Sequence, residues 1–146
     1  ARPGRQPDMP VDVNALCVTF LLFLNQQGVY ENLDTCPPVR VIDVSSLQEL
    51  ACGGSDCPAK AFYNLDDKTI YLSNELDLEN AVHKSILLHE LVHYAQDVTG
   101  KWIHHDVSEC RSYLMRELAA FKVQERYLLD NNIQHPVGRQ LLMYRC

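Results

Sequence analysis

The fold is decided by one stretch of the chain, residues 86–94, which reads Ile86-Leu87-Leu88-His89-Glu90-Leu91-Val92-His93-Tyr94. Its apolar side chains surround the polar ones on nearly every side of a helix, and a helix that is apolar all round is buried. Burying two imidazoles and a carboxylate without partners costs several kcal/mol. A bound cation removes that cost, so the stretch predicts a buried helix that holds a metal.

The polar residues of this stretch form an H-E-x-x-H motif. His89 and His93 are four residues apart, so one face of a helix presents both imidazoles to a single Zn²⁺. Glu90 stands beside the first ligand and can take a proton from a water that zinc makes acidic. We therefore predict a zinc hydrolase with Glu90 as general base. The alternative is a His–Glu pair that is satisfied by hydrogen bonds in the core.

A catalytic zinc usually has three protein ligands and a water. In the next predicted helix, Glu117 falls in the middle of the apolar stripe formed by Cys110, Tyr113, Leu114, Phe121 and Leu128. The far side of that helix carries Arg111, Lys122 and Arg126. Glu117 is therefore the predicted third ligand. Glu109, about 80° away at the edge of the stripe, is the second choice, and a salt bridge from Glu117 to an arginine is the structural alternative.

Three more polar residues are candidates for this site. His104 and His105 lie in the loop between the two helices and are either ligands, transition-state donors or solvated side chains. Gln124 follows Glu117 by two turns on the same stripe, where it could brace a metal ligand.

Length and charge exclude several classes of protein. The 146 residues suit one domain over residues 11–146, preceded by a flexible tail over residues 1–10 that holds three prolines. A net charge of −6 without a Lys/Arg cluster argues against binding to nucleic acid or to an anionic membrane. The longest apolar stretch, residues 17–24, is far shorter than the ~20 residues that span a bilayer.

Hydrophobic periodicity predicts an α+β fold that is mostly helical, with a small sheet before the motif helix. Strands are expected at residues 39–44, 59–63 and 68–73, the last two forming a hairpin. Helices are expected at residues 11–27, 45–50, 77–99, 107–130 and 136–144.

Six cysteines in so short a chain favour disulfides and an oxidising compartment, so we expect a secreted or periplasmic protein. Because the chain starts without Met or an apolar leader, we expect a mature form whose export signal, if any, was removed or is not included in this sequence. Cys52 and Cys57 enclose a short glycine-containing loop and are predicted to pair. The remaining four allow three pairings, of which Cys110 with Cys146 is disfavoured: the start of a long helix and the end of a returning helix would differ in height by a turn or two.

The motif and the downstream glutamate helix resemble the gluzincin branch of the zincin metallopeptidases. Residues 116–124 also resemble the R-E-x-E-A-Y-x-x-Q segment of small bacterial proteins that carry H-E-L-V-H-Y-x-Q, with Ala119 in place of the second glutamate. The resemblance covers about residues 61–124. It implies a minimal zincin-like domain in which the two motif histidines and Glu117 bind zinc and Glu90 is the base. The metzincin branch is disfavoured, because Gln96 and Thr99 occupy the places of its glycine and third histidine.

The leading hypothesis is a zinc-dependent peptidase that acts on peptides or proteins. An extended substrate is expected to pair along the strand at residues 68–73 (Lys68 to Ser73). No histidine or tyrosine stands out as an oxyanion donor, so two alternatives stay open: a weak or inactive zincin scaffold that works as a binding module, and an amidase for non-peptide amides. Glu90 discriminates between catalysis and binding, because only catalysis needs its carboxylate.

Overall fold

The structure of the protein is a computed structural model that describes residues 11–28, 30–54 and 57–146. The flexible tail predicted for residues 1–10 lies outside the described residues. In chain order, the described elements are α1 (Val13–Gln27), β1 (Val39–Ile42), α2 (Val44–Cys52), β2 (Ala61–Asn64), β3 (Thr69–Ser73), α3 (Ala81–Val98), α4 (Glu109–Asp130) and a 3₁₀ helix (Arg139–Met143). This is the α+β arrangement expected from the sequence, mostly helical with a small sheet before the motif helix.

The sheet is mixed and has the strand order β1-β3-β2. β1 runs parallel to β3, and β2 forms the predicted antiparallel hairpin with β3. In the turn of this hairpin, the side chain of Asn64 accepts a hydrogen bond from the backbone of Asp66 at 2.8 Å. Because β3 is hydrogen-bonded on both sides, it has no free edge, and the prediction that substrate pairs along Lys68 to Ser73 is wrong in its choice of strand. The strand at the edge of the hairpin is β2.

The motif helix α3 is central to the core. Its residues Leu87, Leu88, Leu91 and Val92 are fully buried, and they pack with side chains of α1 and the sheet. The helix starts at Ala81, later than the expected residue 77, because Asn80 caps it by accepting hydrogen bonds from the next backbone N–H groups. None of the described helices has the length and apolar character needed to cross a membrane.

The end of the chain differs from the prediction. The helix expected at residues 136–144 is a single 3₁₀ turn, Arg139–Met143. Gly138 precedes it with φ of 79°, a left-handed conformation that an α-helix does not contain. The last residues run back along α4 without forming an α-helix, so that Tyr144 packs on Tyr113 and Cys146 reaches Cys110.

The disulfides are Cys17–Cys36, Cys52–Cys57 and Cys110–Cys146, which accounts for all six cysteines, each of them a described residue. The predicted pairing of Cys52 with Cys57 is confirmed. The expectation against Cys110–Cys146 is wrong, because it assumed a returning helix. The distance from Asp130 back to the start of α4 is about 30 Å at ~1.5 Å per residue, and the residues after α4, whose only helix is the short 3₁₀ helix, cover it at up to ~3.3 Å per residue.

Candidate metal centre

Helices α3 and α4 bring the three predicted ligands together. The ligand atoms of His89, His93 and Glu117 all lie within 4.8 Å of one another. Nε2 of His89 is 3.2 Å from Nε2 of His93 and 3.4 Å from Oε1 of Glu117, while Oε2 of Glu117 contacts Nε2 of His93. Zinc bonds of about 2.05 Å in a tetrahedral shell imply ligand separations of about 3.3 Å. The two separations that involve His89 therefore match those of a tetrahedral metal site, while His93 and Glu117 lie closer together.

A glutamine determines where His93 carries its proton. The side-chain N–H of Gln96 donates to the backbone carbonyl of Arg116 at 3.0 Å. This turns Oε1 of Gln96 towards Nδ1 of His93, at 2.9 Å. An amide oxygen can only accept, so Nδ1 bears the hydrogen and Nε2 of the neutral ring keeps its lone pair. That lone pair faces the cluster.

A second glutamine does the same for His89. The hydroxyl of Ser85 donates to the carbonyl of Val82 and therefore accepts the N–H of Gln124 at 2.9 Å. The oxygen of Gln124 in turn accepts from Nδ1 of His89 at 3.0 Å. Nε2 of His89 is again the lone-pair nitrogen. This chain of bonds is the bracing role predicted for Gln124.

With both rings neutral, the cluster would consist of acceptors that face one another, so its electrostatics call for positive charge, as a proton or as a metal ion. Burial lowers the pKa of His93, but the carboxylates of Glu117 and Glu90 outweigh burial and raise it above the ordinary value. Burial likewise opposes ionisation of Glu117, but its hydrogen bonds to His89 and His93 lower its pKa well below the usual range. A proton satisfies one pair of these atoms, whereas a metal ion satisfies all three at once.

Glu90 lies beside His89 on α3 and is 9% exposed. Its Oε1 accepts a hydrogen bond from the backbone N–H of Tyr63 on β2 at 3.1 Å. Its other oxygen has no hydrogen-bond partner among the described residues. One oxygen is therefore anchored and the other is available to take a proton.

The edge of β2 borders the same site. The backbone carbonyl of Lys60 accepts from the N–H of Ser73 on the β3 side, at 2.9 Å. Because outward and inward groups alternate along an antiparallel strand, Ala61 and Tyr63 direct their backbone groups to the free edge. The N–H of Tyr63 is used by Glu90, which leaves that of Ala61 on the edge.

A cleft of about 700 Å³ contains the cluster, Glu90 and β2. Its wall is rich in apolar and aromatic side chains, including Phe62, Tyr63, Ile86, Trp102, Tyr113 and Phe121. Two of these rings pack on the ligands: that of Phe121 lies 4.5 Å from that of His89, and that of Trp102 lies 6.0 Å from that of His93. The cleft therefore combines a polar centre with apolar walls, as ligand sites usually do.

The other sequence candidates lie outside the cluster. The side chain of Glu109 is 76% exposed and pairs with Arg116 at 2.9 Å, so the second choice for the third ligand is wrong. No arginine among the described residues pairs with Glu117. Nδ1 of His104 hydrogen-bonds the hydroxyl of Ser112 at 3.1 Å, and His105 is exposed. Neither histidine lines the cleft.

Sequence reasoning missed two features of the site. Gln96 lies one turn after His93 and is 2% exposed, so it could have been found by asking what a polar residue does at a buried position of this helix. Tyr113 lies one turn before Glu117 and lines the cleft, and its hydroxyl has no hydrogen-bond partner among the described residues. Burial and then the charge of Glu117 raise the pKa of Tyr113, so its hydroxyl keeps its proton near neutral pH.

Comparison with known proteins places the chain in a family without assigning an activity. No curated protein and no solved structure matches it. One family model, described as "Domain of unknown function (DUF6647)", matches residues 10–145, nearly the whole chain. The protein therefore belongs to the DUF6647 family.

Proposed function

We propose that the protein is a zinc-dependent peptidase in which His89, His93 and Glu117 hold the metal and Glu90 is the general base. The observation that carries this proposal is the convergence of two imidazole lone pairs and a carboxylate, with both rings held in the metal-binding tautomer by Gln96 and Gln124. A metal ion bound at this point would satisfy both Nε2 atoms, which face each other across 3.2 Å, together with the carboxylate of Glu117.

Each residue of the site has a separate task in this mechanism. When bound, zinc supplies a Lewis acid that makes a water molecule acidic near neutral pH. The free oxygen of Glu90 would act as general base, taking a proton from the attacking water and returning it to the leaving amine. The hydroxyl of Tyr113 donates a hydrogen bond to the substrate oxygen as negative charge develops on it.

A peptide fits the cleft as an added strand. The outward N–H and C=O of Ala61 on β2 can pair with the backbone of an extended chain. The same strand holds Glu90 through the N–H of Tyr63. β2 would therefore position both the general base and a paired substrate. We propose a secreted or periplasmic location, which the three disulfides support.

Metal analysis is the first test. The purified protein should contain about one Zn²⁺ per chain, and His89→Ala and His93→Ala should each lose it. Far-UV circular dichroism of the variants separates loss of metal from loss of fold. Full retention of zinc by both variants would contradict the site.

Activity is the second test. A peptide library incubated with the zinc-loaded protein should yield cleavage products, read by mass spectrometry. Glu90→Gln should keep zinc and lower the rate by about 10²–10⁴-fold, because an amide cannot take the proton. If zinc is bound, no peptide is cleaved and the biological effect of the protein survives Glu90→Gln, then the chain is a binding module and the peptidase proposal is wrong.

A further inference from the structure

The last residues of the chain, 138–146, lie against the side of the cleft, and we call them the C-terminal strap. Their far end is fixed by the Cys110–Cys146 disulfide to the start of α4. The ring of Tyr144 packs on that of Tyr113, with 5.4 Å between centroids. Because Tyr113 lines the cleft, the strap supports its wall at this point.

The other end of the strap touches the metal centre through one ring. Gly138 has φ of 79°, and a Cβ atom added there would lie 2.9 Å from Cγ of Phe121. The ring of Phe121 packs on that of His89. The backbone of the strap therefore lies close to the side chain that packs on a predicted metal ligand, and a side chain at residue 138 would force one of the two to shift.

Between these two anchors, Gln140 lines the cleft. Its amide makes no hydrogen bond to any described residue, although it can donate two and accept two. Gln140 is exposed, as are Leu142 (73%) and Met143 (84%), but of these three only Gln140 lines the cleft. Gln140 is thus a polar group held at the cleft without a partner of its own.

We propose that the C-terminal strap is a fixed wall of the substrate cleft, and that Gln140 hydrogen-bonds the backbone of a peptide bound there. This inference rests on the proposed function for the identity of the ligand. A peptide backbone offers both donors and acceptors, which an amide side chain can pair with together, and the two anchors of the strap hold the backbone that carries this amide beside the cleft.

The test compares two zinc-binding probes on the zinc-loaded protein: acetohydroxamate, which reaches little beyond the metal, and a peptidyl hydroxamate, which extends along the cleft. Gln140→Ala should weaken the peptidyl hydroxamate by about 2- to 10-fold, as expected for one hydrogen bond, and leave acetohydroxamate unchanged. Gln134→Ala is the matched control, because Gln134 is exposed in the preceding loop and does not line the cleft. It should bind both probes as the parent does.

A second pair of variants tests the wall itself. Gly138→Ala displaces the ring of Phe121, and replacing Cys110 and Cys146 together by Ser frees the end of the strap. Both should weaken the peptidyl hydroxamate more than acetohydroxamate at equal zinc content. If either of these variants fails to fold, Gln140→Ala still decides the test, because Gln140 is exposed and its replacement should not disturb the fold.

The outcomes separate this inference from the peptidase proposal. Parent-like binding of the peptidyl hydroxamate by Gln140→Ala, or an equal loss in Gln134→Ala, overturns the role of the strap even if peptides are hydrolysed. Selective loss in Gln140→Ala supports it even if the zinc-loaded protein hydrolyses nothing. A protein that takes up no zinc overturns both proposals.

Discussion

At the scale of single residues, the site depends on the direction of two amides. Gln96 and Gln124 each have their N–H group committed elsewhere, so each turns its oxygen to an imidazole. Metal affinity should therefore depend on residues that never touch the metal. Gln96→Leu and Gln124→Leu should each weaken zinc binding by about 10- to 100-fold, measured by competition with a chelator. Affinity equal to that of the parent in both variants would show that the tautomers need no such support.

The carboxylates of α4 give a second prediction at this scale. Glu117→Ala should lower zinc affinity by orders of magnitude, because it removes one of three ligands. Glu109→Ala should leave zinc affinity unchanged and cost well under ~1 kcal/mol of stability, since Glu109 is exposed at the start of the helix. Metal titration of the two variants is the measurement, and the reverse order would contradict the assignment.

The hydroxyl of Tyr113 gives a third prediction at the scale of single residues. Tyr113→Phe should lower kcat while KM and zinc content stay near those of the parent, because the hydroxyl is proposed to act on charge that develops only in the transition state. Tyr144→Phe is the control, since its ring packs on Tyr113 but does not line the cleft. An unchanged kcat in Tyr113→Phe would remove this residue from the mechanism.

The residues that sequence reasoning found were those with a fixed local spacing. His89, Glu90 and His93 belong to one helical turn, and Glu117 was placed by the phase of a single helix. Gln96 escaped notice because its role depends on the carbonyl of Arg116, which only the packing of α4 brings within reach. The position of Tyr113 in the cleft was not predicted, because several elements form the cleft and the apolar stripe of one helix does not reveal it.

At the scale of elements, the positions of the four α-helices followed from periodicity, but the 3₁₀ form of residues 139–143 and the order of the strands did not. Local pattern shows that residues 68–73 form a strand, while its central position depends on the parallel pairing with β1, some thirty residues earlier. The edge strand β2 could therefore be identified only from the folded chain.

The free edge of β2 can be tested with proline. Ala61→Pro should leave zinc content and Tm near those of the parent, because the N–H it removes points away from β3. It should weaken the peptidyl hydroxamate, because the same N–H is proposed to pair with the substrate backbone. Phe62→Pro is the contrasting variant: its N–H faces β3, so it should lower Tm. If Ala61→Pro binds the peptidyl probe as the parent does, substrate does not pair with this edge.

At the scale of the whole molecule, the disulfides close loops of very different length. The separations are 5 residues for Cys52–Cys57 and 36 for Cys110–Cys146. In the chain-entropy model, these loops correspond to about 2 and about 4 kcal/mol of stabilisation. Replacing Cys110 and Cys146 by Ser should therefore lower the free energy of unfolding in urea more than replacing Cys52 and Cys57. The opposite order would show that the long loop contributes little.

The Cys110–Cys146 bond also affects how the protein would withstand proteases. The loop between α4 and the strap is exposed at Asn131, Asn132 and Gln134, which makes it a natural place for a nick. A cut there falls inside the ring that the disulfide closes, so the two fragments stay covalently joined. A nicked molecule would then migrate as one species on a gel without reductant and as two with it. The end of the chain can thus be severed from its own backbone and still remain attached beside the cleft.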